Sequence, residues 1–200
     1  MRIYLPLILC LIAFTSSAQE QMFDICPMKV GESIPDSLTV TNDQGEKQSF
    51  NELTSGKSVV IFYRGGWCPY CTRHLAQLQK VQKEITKLGF NVIAITPDRF
   101  DSLYVSYDKG GNNFTIYSDS KLEVINSFGL GWEIDSANYI KYRDSYGMNT
   151  EDWTGEKHHV LPVPAVYVID KGVIQYNYVN PKYSTRLSSD VLLAMLKSLD

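Results

Sequence analysis

Hydrophobic positions along the chain predict an α/β fold. Two short, uninterrupted apolar runs at 58–63 and 91–96 are typical of strands that are buried on both faces. Between the two runs, apolar residues recur every three or four positions and indicate one buried face of a helix. These residues are Leu75, Leu78, Val81, Ile85 and Leu88. A strand, a helix and a strand in this order favour a parallel pair with a right-handed crossover.

The flanking segments predict further strands and helices. In the N-terminal part, a turn rich in Asn, Asp and Gly joins two short strands in a β-hairpin. In the C-terminal part, two strands form a second antiparallel hairpin before a closing helix. The expected elements are the strands 37–40 and 47–50, a helix over about 98–109, a strand near 114–117, a helix near 119–128, the strands 165–169 and 173–178, and a helix over 188–199.

The stretch 130–160 has no clean periodicity and is rich in Tyr, Asp, Glu and Trp. We interpret it as a partly helical insertion. It is either an excursion on the surface or a wall over the active site that influences substrate choice, because loops beside a rigid scaffold often carry specificity.

The first eighteen residues have the organisation of a secretory signal peptide. A positive start at Arg2 precedes an apolar run over 3–14, and small residues follow as far as Ala18. The run is too short for a membrane span, which needs about 20 apolar residues. We expect export to the periplasm or the extracellular space, with removal of residues 1–18, and no stable membrane insertion afterwards. A lead-in at 19–36, which we expect to be exposed, then precedes one domain over 37–200.

Charge and cysteine content narrow the possible functions. The net charge of −3 and the absence of a basic tract argue against nucleic acid as a partner. Removal of the signal peptide leaves Cys26, Cys68 and Cys71, which are too few for a disulfide scaffold. Because this number is odd, Cys26 is expected to be a spare thiol or to pair between chains.

The pair Cys68 and Cys71 stands between a predicted buried strand and the helix that follows it. Residues three apart share a helix face, so the two sulfurs can close a redox-active disulfide. A helix N-terminus stabilises a thiolate, and the side chains of Arg64, Arg73 and His74 add positive charge nearby. We expect Cys68 to be the exposed nucleophile and Cys71 to be the resolving partner. His74 itself is expected at the surface rather than as a general base.

Metal binding is the competing interpretation of this pair. A structural zinc site needs four ligands, and no second cysteine pair is present. His158 and His159, which are adjacent in sequence, are the only other candidate pair of metal ligands. An imidazole from one of them, close to both sulfurs, would suit copper(I). Copper(I) carriage therefore stays an alternative, although no resident metal or cofactor is expected.

Three blocks of sequence resemble peroxiredoxin-like proteins of the alkyl hydroperoxide reductase/thiol-specific antioxidant branch of the thioredoxin superfamily. They are the active-site block Phe62–Cys71, the block Leu161–Asp170 and the opening Val30–Asp36. The resemblance covers about 30–199. It implies a thioredoxin fold with a central mixed β-sheet flanked by helices, an N-terminal β-hairpin extension and an insertion near 130–160.

The resemblance also implies roles for residues around the dithiol. It implies a cis peptide bond between Val163 and Pro164 that packs against the cysteines and leaves the Val163 backbone free to pair with substrate. Trp67, Pro69 and Tyr70 would form an apolar rim for substrate. The implied partners are protein or small-molecule disulfides and thiols, together with an external thiol reductant.

One departure from the family pattern affects the predicted activity. Typical peroxiredoxins carry a proline seven residues before the peroxide-reactive cysteine and a threonine or serine three residues before it. Counted back from the first or the second cysteine, these positions hold Ile61 and Gly65, or Arg64 and Cys68. Pro164 occupies the place of a later arginine, and Arg64 is then the expected catalytic charge. The sequence thus predicts an exported thiol-disulfide oxidoreductase in antioxidant defence, with a thiol-dependent peroxidase as the alternative.

Overall fold

The structure is a computed structural model that describes residue 22 and residues 24–103 and 114–199. The predicted signal peptide lies outside the described residues, as does the second half of the helix predicted over 98–109. The described part of that helix contains only a short 3₁₀ helix, Phe100–Ser102. Within the described ranges, no helix is long and apolar enough to cross a membrane.

A mixed sheet of seven strands forms the centre of the molecule. Its strands are β1 (Thr39–Thr41), β2 (Lys47–Ser49), β3 (Ser58–Phe62), β4 (Asn91–Thr96), β5 (Thr115–Ser118), β8 (Ala165–Asp170) and β9 (Val173–Val179), and their order is β2-β1-β5-β4-β3-β8-β9. The strands β3, β4 and β5 are parallel, whereas β8 runs antiparallel to β3. The predicted mixed sheet, the N-terminal hairpin β1–β2 and the C-terminal hairpin β8–β9 are confirmed.

Helices cover both faces of this sheet. They are α1 (Phe50–Leu53), α2 (Pro69–Lys87), α3 (Glu123–Ser127), α4 (Ser136–Tyr146), α5 (Thr150–Thr154) and α6 (Ser189–Ser198). The face under α2 and α6 carries one apolar core, in which Leu75 and Leu78 of α2 pack with Leu192 and Leu196 of α6. The periodicity of α2 is therefore confirmed as the buried face of a helix.

The opposite face of the sheet carries a second core that is centred on aromatic rings. Phe128 lies 4.9 Å from both the Phe62 and the Tyr167 ring centroids, and 5.7 Å from that of Phe50. Aromatic pairs of this kind, of which those with Phe50 and Tyr167 are edge-to-face, add about 0.5–1.5 kcal/mol each beyond the area that they bury. This core fixes β3, whose carboxyl end leads into the dithiol.

The lead-in differs from the expected exposed segment at its C-terminal end. The Gly31 N–H donates to the Ile174 carbonyl at 2.8 Å, and the Ile34 N–H donates to the Gly172 carbonyl at 2.9 Å. Ile34 is buried on the aromatic core. Unpaired strand edges favour association, and this segment covers part of the β9 edge.

The predicted insertion near 130–160 is confirmed as a partly helical unit. It begins with β6 (Gly131–Glu133), continues through α4 and α5, and ends with β7 (Val160–Pro162). The strands β6 and β7 pair antiparallel in a small second sheet, with Gly131 opposite Pro162.

Candidate active site

The dithiol lies in the connection between β3 and α2. Cys68 has extended backbone angles and caps α2, and Pro69 is the first residue of the helix. The fixed φ of proline suits this first position. The Cys71 N–H donates to the Cys68 carbonyl at 2.9 Å, so both cysteines belong to the same first turn. Both are free thiols, so the disulfide predicted between them is not formed in this structure and stays a prediction.

The two sulfurs differ in their access to solvent. Only 2% of Cys68 is exposed. The prediction that Cys68 is exposed at the molecular surface is therefore wrong. Cys68 instead lines a cavity of about 470 Å³ that opens to solvent. Cys71 lies behind it in the same turn and is completely buried. A small reactant therefore reaches Cys68 through the cavity, and Cys71 is shielded behind it.

The two thiols also differ in acidity. A hydrogen bond from the Cys71 thiol lowers the pKa of Cys68 to about 6, against the opposing effect of burial, and the charges of Arg64 and Arg186 act in the same direction as that bond. Burial raises the pKa of Cys71 well above its ordinary value, and the neighbouring Cys68 raises it further. Near neutral pH, the sulfur that lines the cavity is the thiolate and the deeper sulfur keeps its proton. Because the thiolate is the nucleophile in thiol chemistry, this difference in acidity favours Cys68 as the reactive member of the pair.

Arg64 is the one cationic side chain among the described residues that line the cavity. It is only 6% exposed, and its guanidinium lies 5.2 Å from the Trp67 ring and 4.6 Å from the Tyr183 ring. Cations over aromatic faces are held at a fixed place by the ring quadrupoles. The predicted position of Arg64 beside Cys68 agrees with this arrangement, because Arg64 lines the same cavity.

The other two predicted positive charges do not act as expected. His74 is 3% exposed, and its Nε2 lies 3.0 Å from the Leu187 carbonyl. Burial, with a contribution from Arg186, lowers the pKa of His74 to about 4, so the ring is neutral at neutral pH. Arg73 is exposed and its guanidinium lies 5.9 Å from the Tyr70 ring centroid. The expectation that His74 lies at the surface is wrong because α6 and the segment before it cover this side of α2.

The apolar rim includes residues of the insertion. Trp67, Pro69 and Tyr70 line the cavity as predicted, and Trp132, Tyr142 and Met148 line it from the other side. Trp153 of α5 stacks on Trp67 with a centroid distance of 4.3 Å and an interplanar angle of 17°. Of the two interpretations of the insertion, the wall over the active site agrees with the structure.

The predicted roles of Val163 and Pro164 need correction. The Val163–Pro164 peptide bond is trans, so the expected cis bond is wrong. The Val163 N–H is not free for substrate, because it donates to the Leu130 carbonyl at 2.8 Å and extends the small sheet of the insertion. Pro164 is buried at the carboxyl end of β3, where its neighbour Ala165 pairs with Phe62. Neither residue lines the cavity formed by the described residues.

The histidines suggested for copper(I) are engaged elsewhere. His158 Nε2 lies 2.7 Å from the Ser120 carbonyl, and His159 Nε2 lies 2.9 Å from the Glu151 carboxylate. Among the described residues, no group of three or more His, Cys, Asp or Glu side chains could hold a metal ion. The structure therefore does not join His158 or His159 with the dithiol in a metal-binding group. Cys26 is an exposed free thiol.

Asp98 is a buried carboxyl that the sequence analysis did not identify. Its Oδ2 accepts a hydrogen bond from the Gly66 N–H at 2.8 Å, and Trp67 lies against it. Gly65 has a φ of +143°, and a Cβ there would lie 2.6 Å from Asp98 Oδ1. Burial raises the pKa of Asp98 to about 7 despite these hydrogen bonds. Asp98 follows β4, beside the end of β3, which is a position where sheet topology places functional residues.

Arg186 is the second residue that the sequence analysis missed. It lies between β9 and α6, and its Nη2 donates to Cys71 Sγ at 3.3 Å across 115 positions of sequence. No motif marks it, and the contact arises only because α6 packs against α2.

Comparisons with known proteins agree with this arrangement. The AhpC/TSA family model matches residues 30–177. The putative peroxiredoxin bcp of Haemophilus influenzae is 31% identical over 107 residues, which are 54% of this chain and 68% of that protein. The peroxidoxin BcpB of Mycobacterium tuberculosis has a similar structure, with a TM-score of 0.66 at 17% identity over 86% of this chain and 99% of that one. The reduced Prx3 of Vibrio vulnificus in complex with H₂O₂ superposes with a TM-score of 0.68 at 15% identity, over 84% and 99% of the two chains.

The match to the family model covers most of the chain, and the structural neighbours support the thioredoxin fold expected from the sequence. With Cys68 lining its cavity and Cys71 buried behind it, this chain belongs to the AhpC/TSA family, is similar to peroxiredoxins, and is an oxidoreductase of thiol and peroxide chemistry.

Proposed function

We propose that the protein is a thiol-dependent peroxidase in which Cys68 attacks the peroxide and Cys71 resolves the product. The observation that supports this most directly is the asymmetry of the two sulfurs. The Cys68 thiol lines the cavity with its pKa lowered to about 6, while a hydrogen-bonded and sealed Cys71 keeps its proton. This proposal replaces disulfide exchange, which the sequence favoured, as the main activity.

In the first step, the Cys68 thiolate attacks one oxygen of the hydroperoxide and the O–O bond breaks. Cys68 becomes a sulfenic acid, and the other oxygen leaves as an alcohol or water after taking up a proton. The guanidinium of Arg64 lines the cavity beside this sulfur and is placed to stabilise negative charge on the leaving oxygen.

In the second step, the Cys71 sulfur attacks the sulfenic acid sulfur. An S–S bond forms between the two cysteines, and the hydroxyl leaves as water. The two residues share one helical turn, so the ring closes with little movement of the backbone. Two thiols of an external reductant then return the pair to the dithiol and leave as a disulfide.

The test is peroxide consumption by the reduced protein with dithiothreitol as the reductant. We expect the Cys68→Ser variant to lose the activity, while a Cys26→Ser control keeps it. In the Cys71→Ser variant, dimedone is expected to label Cys68, because its sulfenic acid can no longer be resolved. Peroxide consumption no faster than that of free cysteine would overturn the proposal.

Disulfide exchange at the same pair is the second candidate. The close spacing of the two sulfurs and the access to Cys68 through the cavity favour it, since both are needed for a mixed disulfide. The Cys71→Ser variant, offered oxidised glutathione, is expected to form an adduct at Cys68. Absence of any adduct while Cys68 still reacts with iodoacetamide would contradict this activity.

We also propose that the protein is exported, on the basis of the order of charged, apolar and small residues over 1–18. Expression of the full chain in a bacterium with a periplasm is expected to yield a protein whose N-terminus is Gln19. An intact Met1 on all of the protein, found by mass spectrometry, would contradict export.

A further inference from the structure

Arg186 is held against the dithiol from a part of the chain that belongs to neither β3 nor α2. Its Nε donates to the Tyr183 carbonyl at 2.8 Å, and its Nη2 donates to Cys71 Sγ at 3.3 Å. The guanidinium is therefore anchored on backbone at one end and directed at a sulfur at the other.

Arg186 and Arg64 act mainly on different sulfurs. Arg64 lines the cavity together with Cys68, and its charge favours the Cys68 thiolate more than the charge of Arg186 does. Arg186 touches the sulfur of Cys71, and it is the charge that favours a thiolate there. The charge of Arg64 thus acts mainly on Cys68, and the charge of Arg186 acts mainly on Cys71.

A thiolate at Cys71 takes part in two steps of the proposed cycle: it is the nucleophile that attacks the sulfenic acid, and it is the leaving group when the disulfide is reduced. When an external thiolate reduces the disulfide, it can reach the sulfur of Cys68 through the cavity but not the fully buried sulfur of Cys71. The S–S bond then breaks with both of its electrons on Cys71. An anion forms where no water reaches it, and such an anion is costly unless a partner donates to it.

We propose that Arg186 is a catalytic residue of the reductive half-reaction, in which its guanidinium stabilises Cys71 as the leaving thiolate and so directs the reductant to Cys68. The proposal rests on the dithiol cycle of the proposed function, but it does not depend on which oxidant forms the disulfide.

The reductive half-reaction consumes two reductant thiols. The first reductant thiol releases its proton to solvent, attacks Cys68 and forms a mixed disulfide, while Cys71 leaves as a thiolate. Cys71 then takes the proton of a second reductant thiol. The thiolate so formed attacks the reductant sulfur of the mixed disulfide, and an oxidised reductant and the Cys68 thiolate are the products.

The experiment measures the two half-reactions separately in single turnovers, with the fluorescence of the neighbouring Trp67 as the signal. For the reductive half, the disulfide is prepared with diamide and then mixed with dithiothreitol. For the oxidative half, the reduced protein is mixed with peroxide at concentrations low enough that formation of the Cys68 sulfenic acid, which precedes the attack by Cys71, limits the rate. The variants are Arg186→Gln, Arg186→Lys and Arg64→Gln. The control is Lys80→Gln, which removes an exposed charge from α2, the helix that begins at the dithiol.

We expect Arg186→Gln to slow the reductive half by about tenfold or more, which is the scale of a lost charge-assisted hydrogen bond, and to affect the oxidative half much less. Arg186→Lys should recover part of the rate. Arg64→Gln should show the opposite pattern, with a slower oxidative half and a nearly unchanged reductive half. Lys80→Gln should leave both halves unchanged.

Equal slowing of both halves by Arg186→Gln, with an unchanged melting temperature, would overturn the role of Arg186, and so would an unchanged reductive half. A variant that fails to fold is replaced by Arg186→Lys, for which the same comparison of the two halves decides. If peroxide fails to oxidise the wild-type protein at all, the proposed peroxidase function is wrong, but the measurement on the diamide-formed disulfide still tests Arg186.

Discussion

At the scale of single residues, the environment of each sulfur decides its chemistry more than its place in the motif does. Cys68 and Cys71 stand three positions apart in one helical turn, yet one thiol is acidified and the other is kept protonated. The largest effect on Cys68 is the hydrogen bond from Cys71, and the arginines follow behind it. The acidity of the reactive sulfur is therefore a property of the pair.

This dependence predicts the pH profile of Cys68 alkylation. In wild-type protein, the rate with iodoacetamide should rise through a midpoint near pH 6, because the thiolate is the reactive form. The Cys71→Ala variant removes the donor and should move the midpoint toward the ordinary thiol range. The Cys71→Ser variant keeps a donor and should move it less. An identical midpoint in all three proteins would show that the hydrogen bond is not the cause.

Sequence alone could identify the dithiol, because two cysteines at this spacing before an amphipathic helix have few other uses. The same reasoning could not identify Asp98 or Arg186. Their contacts with the site span 32 and 115 positions, so they depend on how the elements pack. Neither residue type is unusual at its position in the chain.

At the scale of elements, the helix α2 shows what periodicity can and cannot predict. The spacing of apolar residues correctly indicated the face that packs on the sheet. It did not indicate that α6 covers a second face, which is why His74 is buried rather than exposed. The buried face of one helix can be predicted from its own period, whereas a second partner cannot.

The insertion also shows that hydrophobic periodicity predicts only part of a fold. Its lack of periodicity follows from its construction, since β6 and β7 are only three residues long and α4 packs through few buried side chains. Its contacts with the active site include the aromatic stack between Trp67 and Trp153, and Trp67 also packs against the small apolar cluster of the insertion.

We predict that Trp153→Ala loosens the contact between the insertion and Trp67 at the cavity. Loss of the stack should lower the free energy of unfolding by about 1 kcal/mol, the scale of an aromatic pair. The rate with cumene hydroperoxide should fall relative to the rate with H₂O₂, because the bulkier substrate has more contact with the wall. Trp153→Phe keeps an aromatic ring and should keep the ratio of the two rates. An unchanged ratio in the alanine variant would show that the insertion does not affect substrate choice.

At the scale of the whole molecule, two buried carboxyls link stability to pH. The pKa of Asp98 and that of Asp119 are each raised to about 7, in both cases mainly by burial. Above about pH 4, the unfolded chain loses these two protons while the folded protein keeps them. Each group therefore lowers the free energy of unfolding as the pH rises, by up to about 1.4 kcal/mol per unit, until the pH passes about 7.

This linkage predicts the effect of Asp98→Asn. Relative to wild type at the same pH, the variant should be more stable at pH 8 than at pH 5 by about 2 kcal/mol, because Asn has no proton to lose. Urea denaturation at each pH gives the two free energies. Comparison at equal pH removes the separate contributions of His74 and Cys68, which also titrate in this range. Asp119→Asn, far from the dithiol in sequence, should show the same trend, and a pH-independent difference in both variants would contradict it.

The cavity also has a kinetic consequence for the working molecule. Within the described residues, Cys68 meets solvent through this cavity, and the sulfur behind it is sealed. Oxidant and reductant must then occupy the same space at different times. The enzyme should follow substituted-enzyme kinetics, in which double-reciprocal plots at several fixed peroxide concentrations are parallel and an excess of either substrate competes with the other.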